Sequence, residues 1–455
     1  MTSSHGLVPV FDDPNLVSDA GLAPVLALAE KAGLSGLVTE HLAPFAPYRE
    51  VKTRTIVAGM LAGADSIDDL DRLRAGSTSQ ILGEVRAPST MGTFLRSFTH
   101  GHVLQLAAVN RRLLAGLAEH SRGLVGDDGL VLVDMDDTIR EVHGYQKQAA
   151  AYGYSKVRGL NALIITTSTP SSLPVIAEFS LRRGNVRSGD NAGWWLNRAL
   201  GTTRQVAPGR QVLVRGDSAF CTHENVTAAM NAGAWFSFTI PAWPTVTSAI
   251  GQISEHAWTP IRYPNAIKDP DTGTLISDAE VAETGFTAFT SHRKDEQITC
   301  RLVVRRVKRL NENVKAGQDT LFDTWRYHAF ITNSTLDTVD ADKTHRQHAI
   351  IEQTIEELKT GPLAHLPSGK FTANAAWLGF AVIAHNISRA AAVAAGRPTA
   401  RMLTVLRTLI GVPARLARTG RRLVIHLPER WPWQHHWTRL WGTATSIGPP
   451  APATP

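Results

Sequence analysis

Three carboxylates, Asp136, Asp217 and Glu352, are the side chains best suited to chemistry in this 455-residue chain. They are spread over more than 200 residues, so only folding can bring them together. Carboxylates offer oxygen alone, and an all-oxygen site favours hard divalent cations such as Mg²⁺ or Mn²⁺. Two such ions, roughly 3.5–4 Å apart, can stabilise both the attacking and the leaving oxygen of an in-line phosphoryl displacement. The acids must then stand on rigid neighbouring elements. Asp136 and Asp217 each follow a strand-like apolar run, at residues 130–133 and 211–214, with small or polar Thr138 and Ser218 just beyond. Asp134 lies two residues before Asp136, shares its strand face, and competes for the same role.

Charge supplies a partner for that chemistry. Between residues 358 and 427 there is no Asp or Glu, whereas Lys359, Lys370 and the arginines from Arg389 to Arg422 fall there. Glu429 is the one acid after Glu357, so the last 98 residues are strongly basic within a chain of net charge +7. Beside a polyanion such a segment releases counterions and gains affinity. Metal-assisted cutting and joining of double-stranded DNA fits both features. Apolar content of 43% and charged content of 19% are those of a globular protein. No apolar run is long enough for a membrane span, and the N-terminus lacks the order of a signal peptide. Cys221 and Cys300 are far apart and lack metal-ligand spacing, as expected of reduced thiols in a cytoplasmic protein.

The elements that must position the acids divide the chain. Residues 1–125 read as a helical, DNA-binding N-terminal domain. Within it, 90–98 and 102–117 form a short helix, a turn and a longer helix, a candidate helix-turn-helix with Arg96, Arg111 and Arg112 as DNA contacts. From 126 to 240 the order is strand, strand, strand, helix, strand, helix, strand, a mixed α/β core. Residues 241–336 read as a β-rich insertion, 337–445 as the second part of the core with a basic helical region, and 446–455 as a disordered tail. His345, His348, Glu352, Glu356 and Lys359 fall on one face of a predicted helix, opposite Ile351, Ile355 and Leu358.

The ordered set of motifs resembles bacterial insertion-sequence transposases of the DDE type, in particular the group numbered thirteen-eighty, which have a ribonuclease-H-like core. The matching features begin with Val133-Asp134-Met135-Asp136-Asp137-Thr138, with His143-Gly144 behind it. Gly184-Asn185, Leu213-Val214-Arg215-Gly216-Asp217-Ser218 and the acid-bearing helix follow. The resemblance runs from about residue 50 to 440. It implies that Asp136, Asp217 and Glu352 hold two Mg²⁺ (or Mn²⁺) ions, and that Lys359 contacts a phosphate near the transposon end. Asp136 is preferred to Asp134 because the related motif places its acid two residues before Thr. Related helices carry Tyr, Arg, Glu and Lys at the positions of His345, His348, Glu352 and Lys359. Histidine is only partly charged near neutral pH, so phosphate contact through His345 and His348 is expected to be weaker. The insertion matches one that holds transposon ends, so Arg305, Arg306, Lys308 and Arg309 are candidate DNA contacts, and Trp243, Trp258 and Trp325 candidate base-stacking residues. A homodimer handling both transposon ends and target DNA is implied.

Two other readings fit parts of the pattern. Asp134-Met135-Asp136-Asp137-Thr138 also suits a haloacid-dehalogenase-like phosphatase, with Asp134 attacking phosphorus and Asp136 as acid/base. Such enzymes build parallel βαβ units, whereas the strands after Thr138 read as a hairpin. The histidines at 345 and 348 also suit a catalytically inactive DNA-binding relative.

Overall fold

The computed structural model of the chain describes residues 8–42, 47–127, 129–144, 146–261, 279–308 and 325–446. Arg309, the side chain of Lys308 and the expected tail past Ser446 lie outside the described residues. A two-residue strand β1 (Leu16–Val17) precedes helices α1 (Leu22–Lys31), α2 (Leu34–His41), α3 (Arg49–Leu61), α4 (Thr78–Leu82), α5 (Pro88–Arg96) and α6 (His100–His120). Local chemistry starts these helices where expected. Pro88 takes the first turn of α5, where its missing N–H is no loss. Thr99 and His102 cap each other reciprocally at the start of α6, at 3.2 and 3.4 Å.

Next come β2 (Val131–Glu141), β3 (Ala151–Tyr152), β4 (Arg158–Thr169), β5 (Ser172–Arg183), α7 (Ala192–Val206), β6 (Val212–Gly216), α8 (His223–Asn231) and β7 (Trp235–Thr239). After them run α9 (Pro244–Gly251), β8 (Thr259–Ile261), β9 (Ala279–Ala288), β10 (Ile298–Lys308) and β11 (Trp325–Thr332). The final part holds α10 (Thr338–Arg346), α11 (Ile350–Lys359), α12 (Phe371–Ala394), α13 (Met402–Val405), β12 (Ala414–Thr419), β13 (Arg422–His426) and α14 (Gln434–Thr445).

Strands β2 to β11 form a mixed sheet ordered β3-β4-β2-β6-β7-β11-β10-β9-β8, with β5 also on β4, and β1, β12 and β13 form a separate small antiparallel sheet. β2 runs antiparallel to β4 and parallel to β6, and β6 runs parallel to β7. The short 169–172 turn makes β4 and β5 an antiparallel hairpin, because so short a link cannot cross over to a parallel neighbour. The insertion strands continue the core sheet: β11 pairs antiparallel with β7, with Ile331 opposite Phe238.

Helix α12 is buried along nearly its whole length and lies against α3, α5, α6 and β5. At its centre Asn386, wholly buried, accepts the Ile176 N–H (2.8 Å) and donates to the Ile176 carbonyl and to Asn110 Oδ1, each at 2.9 Å. That polar node ties α6, α12 and β5 at one point, and leaving any member unpaired would carry a desolvation cost. One hydrophobic cluster runs from Leu22 through the sheet to Ala444, so the N-terminal helices share a core with the strands.

That packing corrects the expectation that Arg111 contacts DNA. Val103, Leu106, Val109, Leu113 and Leu117 bury one face of α6, and Arg111 reaches the fully buried Glu178 of β5 at 2.7 Å. Glu178 also meets Arg198 at 3.1 Å. Arg111 is thus committed to an internal ion pair, while Arg96 and Arg112 stay at the surface. Among the described residues no single helix is long and apolar enough to cross a membrane.

Candidate active site

The site is built where β2 and β6 lie side by side. Their parallel register sets Asp134 opposite Arg215 and Met135 opposite Gly216. One step further along each strand stand Asp136 and Asp217. Period two puts Asp134 and Asp136 on one face of β2, and the same rule puts Arg215 and Asp217 on one face of β6. The shared face therefore carries an acid beside a base, and then two acids together.

The first of these pairs is internal. Asp134 and Arg215 are both wholly buried and meet through two bonds, Nε–Oδ1 and Nη2–Oδ2, each of 2.7 Å. Arg215 also donates to the Thr344 carbonyl at the end of α10, and His348 Nδ1 lies 2.9 Å from Asp134 Oδ1. Burial opposes charge on Asp134, but Arg215 and His348 outweigh it and hold the carboxyl below its ordinary range. A carboxylate so enclosed cannot reach a substrate phosphorus. This favours Asp136 over Asp134 as the first metal ligand and removes the nucleophile that a phosphatase would need.

The second pair is open. Asp217 is exposed, and one of its oxygens accepts the Ala219 N–H at 2.9 Å, capping a single 3₁₀ turn over Ser218–Phe220. Asp136 is half-buried and accepts the Asp137 N–H at 2.7 Å. Burial pushes its carboxyl up to about 7; the neighbouring Asp137 and Asp217 carboxylates add to the rise, while the Asp137 N–H and His348 oppose it. Two oxygen-only side chains in mutual repulsion where β6 ends beside β2 are a fitting seat for a hard cation, which would relieve the repulsion.

Glu352 does not complete the set. Among the described residues no three Asp, Glu, His or Cys side chains converge closely enough to hold a metal ion. Glu352 lies on α11, which packs on β2, but its exposed side chain lines a neighbouring cavity of about 230 Å³ together with Arg305, Asp342, His345 and His348. The polar stripe expected on one continuous helix is broken, because a 3₁₀ turn over Gln347–Ala349 separates α10 from α11. The break lets His345 turn into the fold. Its ring stacks on Phe330 at 4.1 Å, and its two nitrogens meet Ser237 Oγ (2.8 Å) and Thr239 Oγ1 (3.0 Å). Burial drives His345 down to about 3, so at neutral pH it is an uncharged tether between α10 and β7, in place of the expected phosphate contact.

Other expected DNA contacts fall in different places. Arg306 is sandwiched at 4.3 and 4.4 Å between Trp258 and Trp325 and is paired with Glu280 (2.6 Å) and Glu255 (2.8 Å). This corrects the expectation for all three residues, since the two indoles hold a guanidinium and not a base. Arg305 faces Asp342 at 3.7 Å, and Trp243 remains partly exposed. Lys359 lines a groove beside Asp137 and Thr138, on the side of β2 that leads away from the acids. In the basic C-terminal part, Arg389 is buried on the Pro398 and Ala400 carbonyls, while Arg401, Arg407, Arg418, Arg421 and Arg422 are exposed.

Sequence reasoning gave Arg215 no role. A signal was present, because Arg215 precedes Asp217 by the same two residues that separate Asp134 from Asp136. In adjacent parallel strands equal offsets become facing partners.

Over residues 3–445 the chain matches the protein family described as transposase DDE domain, group 1. A search of curated proteins finds no match.

Proposed function

The chain belongs to the DDE transposase family, and from that premise we propose that it cleaves and joins DNA strands at the terminal inverted repeats of an insertion sequence. The adjacency of Asp136, within β2, and Asp217, just past the end of β6 and one step beyond the Met135–Gly216 register pair, carries this reading. Membership makes the chain a transposase of the insertion-sequence type, acting in DNA recombination on transposon ends. The residue roles that follow are our own reading.

Asp136 and Asp217 would hold Mg²⁺ or Mn²⁺, with Glu352 of α11 joining them once metal and DNA are bound. Bound there, a pair of such ions would activate the attacking oxygen and neutralise the leaving one. The chain's own contribution is placement. The buried Asp134–Arg215 pair locks β2 to β6, so the two outer aspartates cannot drift apart to relieve their repulsion. Ionised Asp134 can only accept a hydrogen bond, so His348 donates to it from Nδ1, and a second proton on Nε2 would be needed for it to donate to a DNA phosphate oxygen. Lys359, farther along α11, would meet a phosphate beside the scissile one, and Arg305 and the exposed arginines of the C-terminal part would add phosphate contacts. Handling two transposon ends together favours a homodimer in the active complex.

The test is strand cleavage of DNA bearing the element's own ends, with and without magnesium. Asp217→Asn should abolish cleavage while retaining DNA binding. Metal-independent cleavage, or full cleavage by Asp217→Asn, would refute the proposal.

A further inference from the structure

Beyond Thr138 the chain builds a surface to which no role has yet been given. β3 folds back onto the start of β4, with Ala151 opposite Gly159 and Tyr152 opposite Arg158, making a tight hairpin whose tip is residues 153–157. Glycines clamp that tip to the loop after β5. A Cβ on Gly153 would lie 2.5 Å from the Gly184 carbonyl oxygen, and one on Gly184 would lie 2.0 Å from that of Gly159. Such approaches exclude any side chain, so Gly184 of the Gly184-Asn185 motif acts as a backbone seat for the hairpin.

On this clamped tip the Tyr154 side chain is fully exposed, and Tyr152 is 69% exposed. Tyr154 stands over a groove of about 520 Å³ that Thr138 and Lys359 also line. One end of the groove therefore adjoins Asp136. Of its acids, Asp137 is bound by Arg182, while Glu141 is exposed. Arg140 and Lys359 line the same groove and balance those two acids.

We propose that the Tyr154 hairpin is a stacking platform for an unpaired base of the DNA strand leading away from the Asp136–Asp217 pair. A base inside a duplex is already stacked on both faces, so an aromatic ring gains most from one that has left the helix. Stacking is tolerant of sequence, because every base has a π face, and Lys359 in the same groove would meet a phosphate of that strand. The clamped backbone reduces the ordering cost of binding. This inference rests on the strand-transfer reading above and adds to it a route for the strand.

The test uses the full-length protein, a mixed-sequence single-stranded oligonucleotide carrying one 2-aminopurine, and the fully paired duplex of the same sequence. Tyr154→Ala should weaken single-strand binding about tenfold, the scale of one lost stacking contact. It should also remove the 2-aminopurine quenching and leave duplex affinity unchanged. Tyr154→Trp should retain both properties, and Tyr154→Leu, apolar without a π face, should behave like Tyr154→Ala at an unaltered melting temperature. Parent-like affinity and quenching in Tyr154→Ala, or an equal loss on duplex, would overturn the stacking role while leaving the strand-transfer reading intact. A parent protein that does not bind the single strand would overturn the stacking role, whereas failure to cleave DNA bearing the element's own ends would overturn the strand-transfer reading.

Discussion

Asp134 and Arg215, cross-strand partners on β2 and β6, meet through two 2.7 Å bonds with neither side chain exposed. Removing one member of a buried pair strands the other, at a cost of about 3–5 kcal/mol. Asp134→Asn should accordingly lower the urea midpoint sharply, with the variant failing as a fold before it fails as a catalyst. A variant that is as stable as the parent yet inactive would show instead that Asp134 takes part in the chemistry.

Asp136 and Asp217 repel one another, so cation binding and charge removal should compete to relieve the same strain. Magnesium or manganese at about a hundred times its dissociation constant should stabilise the parent by about 2.7 kcal/mol. Asp136→Asn should raise the melting temperature of the metal-free protein and abolish the metal-dependent increment. An undiminished increment in that variant would place the ion elsewhere.

His385, wholly buried on α12, is driven by burial from its ordinary 6.5 down to about 4, with Arg389 adding to the fall. His345 falls to about 3. Below 6.5 the unfolded chain takes up protons that these folded side chains refuse, so their contribution to stability declines as pH falls from about 6.5 towards 4 and returns as pH rises. For His385 alone the full loss is of the order of 3 kcal/mol. Because the raised Asp136 carboxyl contributes with the opposite sign in this window, the check is the difference between parent and His385→Gln: the parent's denaturation midpoint should fall relative to that of His385→Gln as pH goes from about 7 to about 4.

Arg306, held between Trp258 and Trp325, spends its charge inside the insertion on Glu280 and the two indoles. Arg306→Ala should cost about 1 kcal/mol or more in stability through the lost cation–π contacts. The slope of DNA affinity against salt should stay unchanged, because no phosphate contact is removed. A shallower slope would return Arg306 to the DNA surface.

Much of the core was legible because strand period and short turns are local. The β4–β5 hairpin and the strands before Asp136 and Asp217 follow from apolar runs and the 169–172 turn, and the family match agrees with the resemblance seen in the motifs. Long-range partners were not legible. Asp134 and Asp136 are equivalent by period, and only Arg215, 81 residues from Asp134, separates them. Helical periodicity carried His345 onto the same face as Glu352, but a 3₁₀ turn separates their helices, and His345 is spent on Phe330, Ser237 and Thr239. Arg111 read as a free cation because its acid, Glu178, is 67 residues away.

The most direct measurement is iron-directed backbone cleavage, with Fe²⁺ replacing magnesium in the DNA-bound protein and peroxide generating local radicals. Scission should cluster around Asp136, Asp217 and Glu352, and should disappear with excess magnesium or in Asp217→Asn. Cuts around the two aspartates that never reach residues near Glu352, or a pattern indifferent to Asp217→Asn, would contradict a shared three-carboxylate centre.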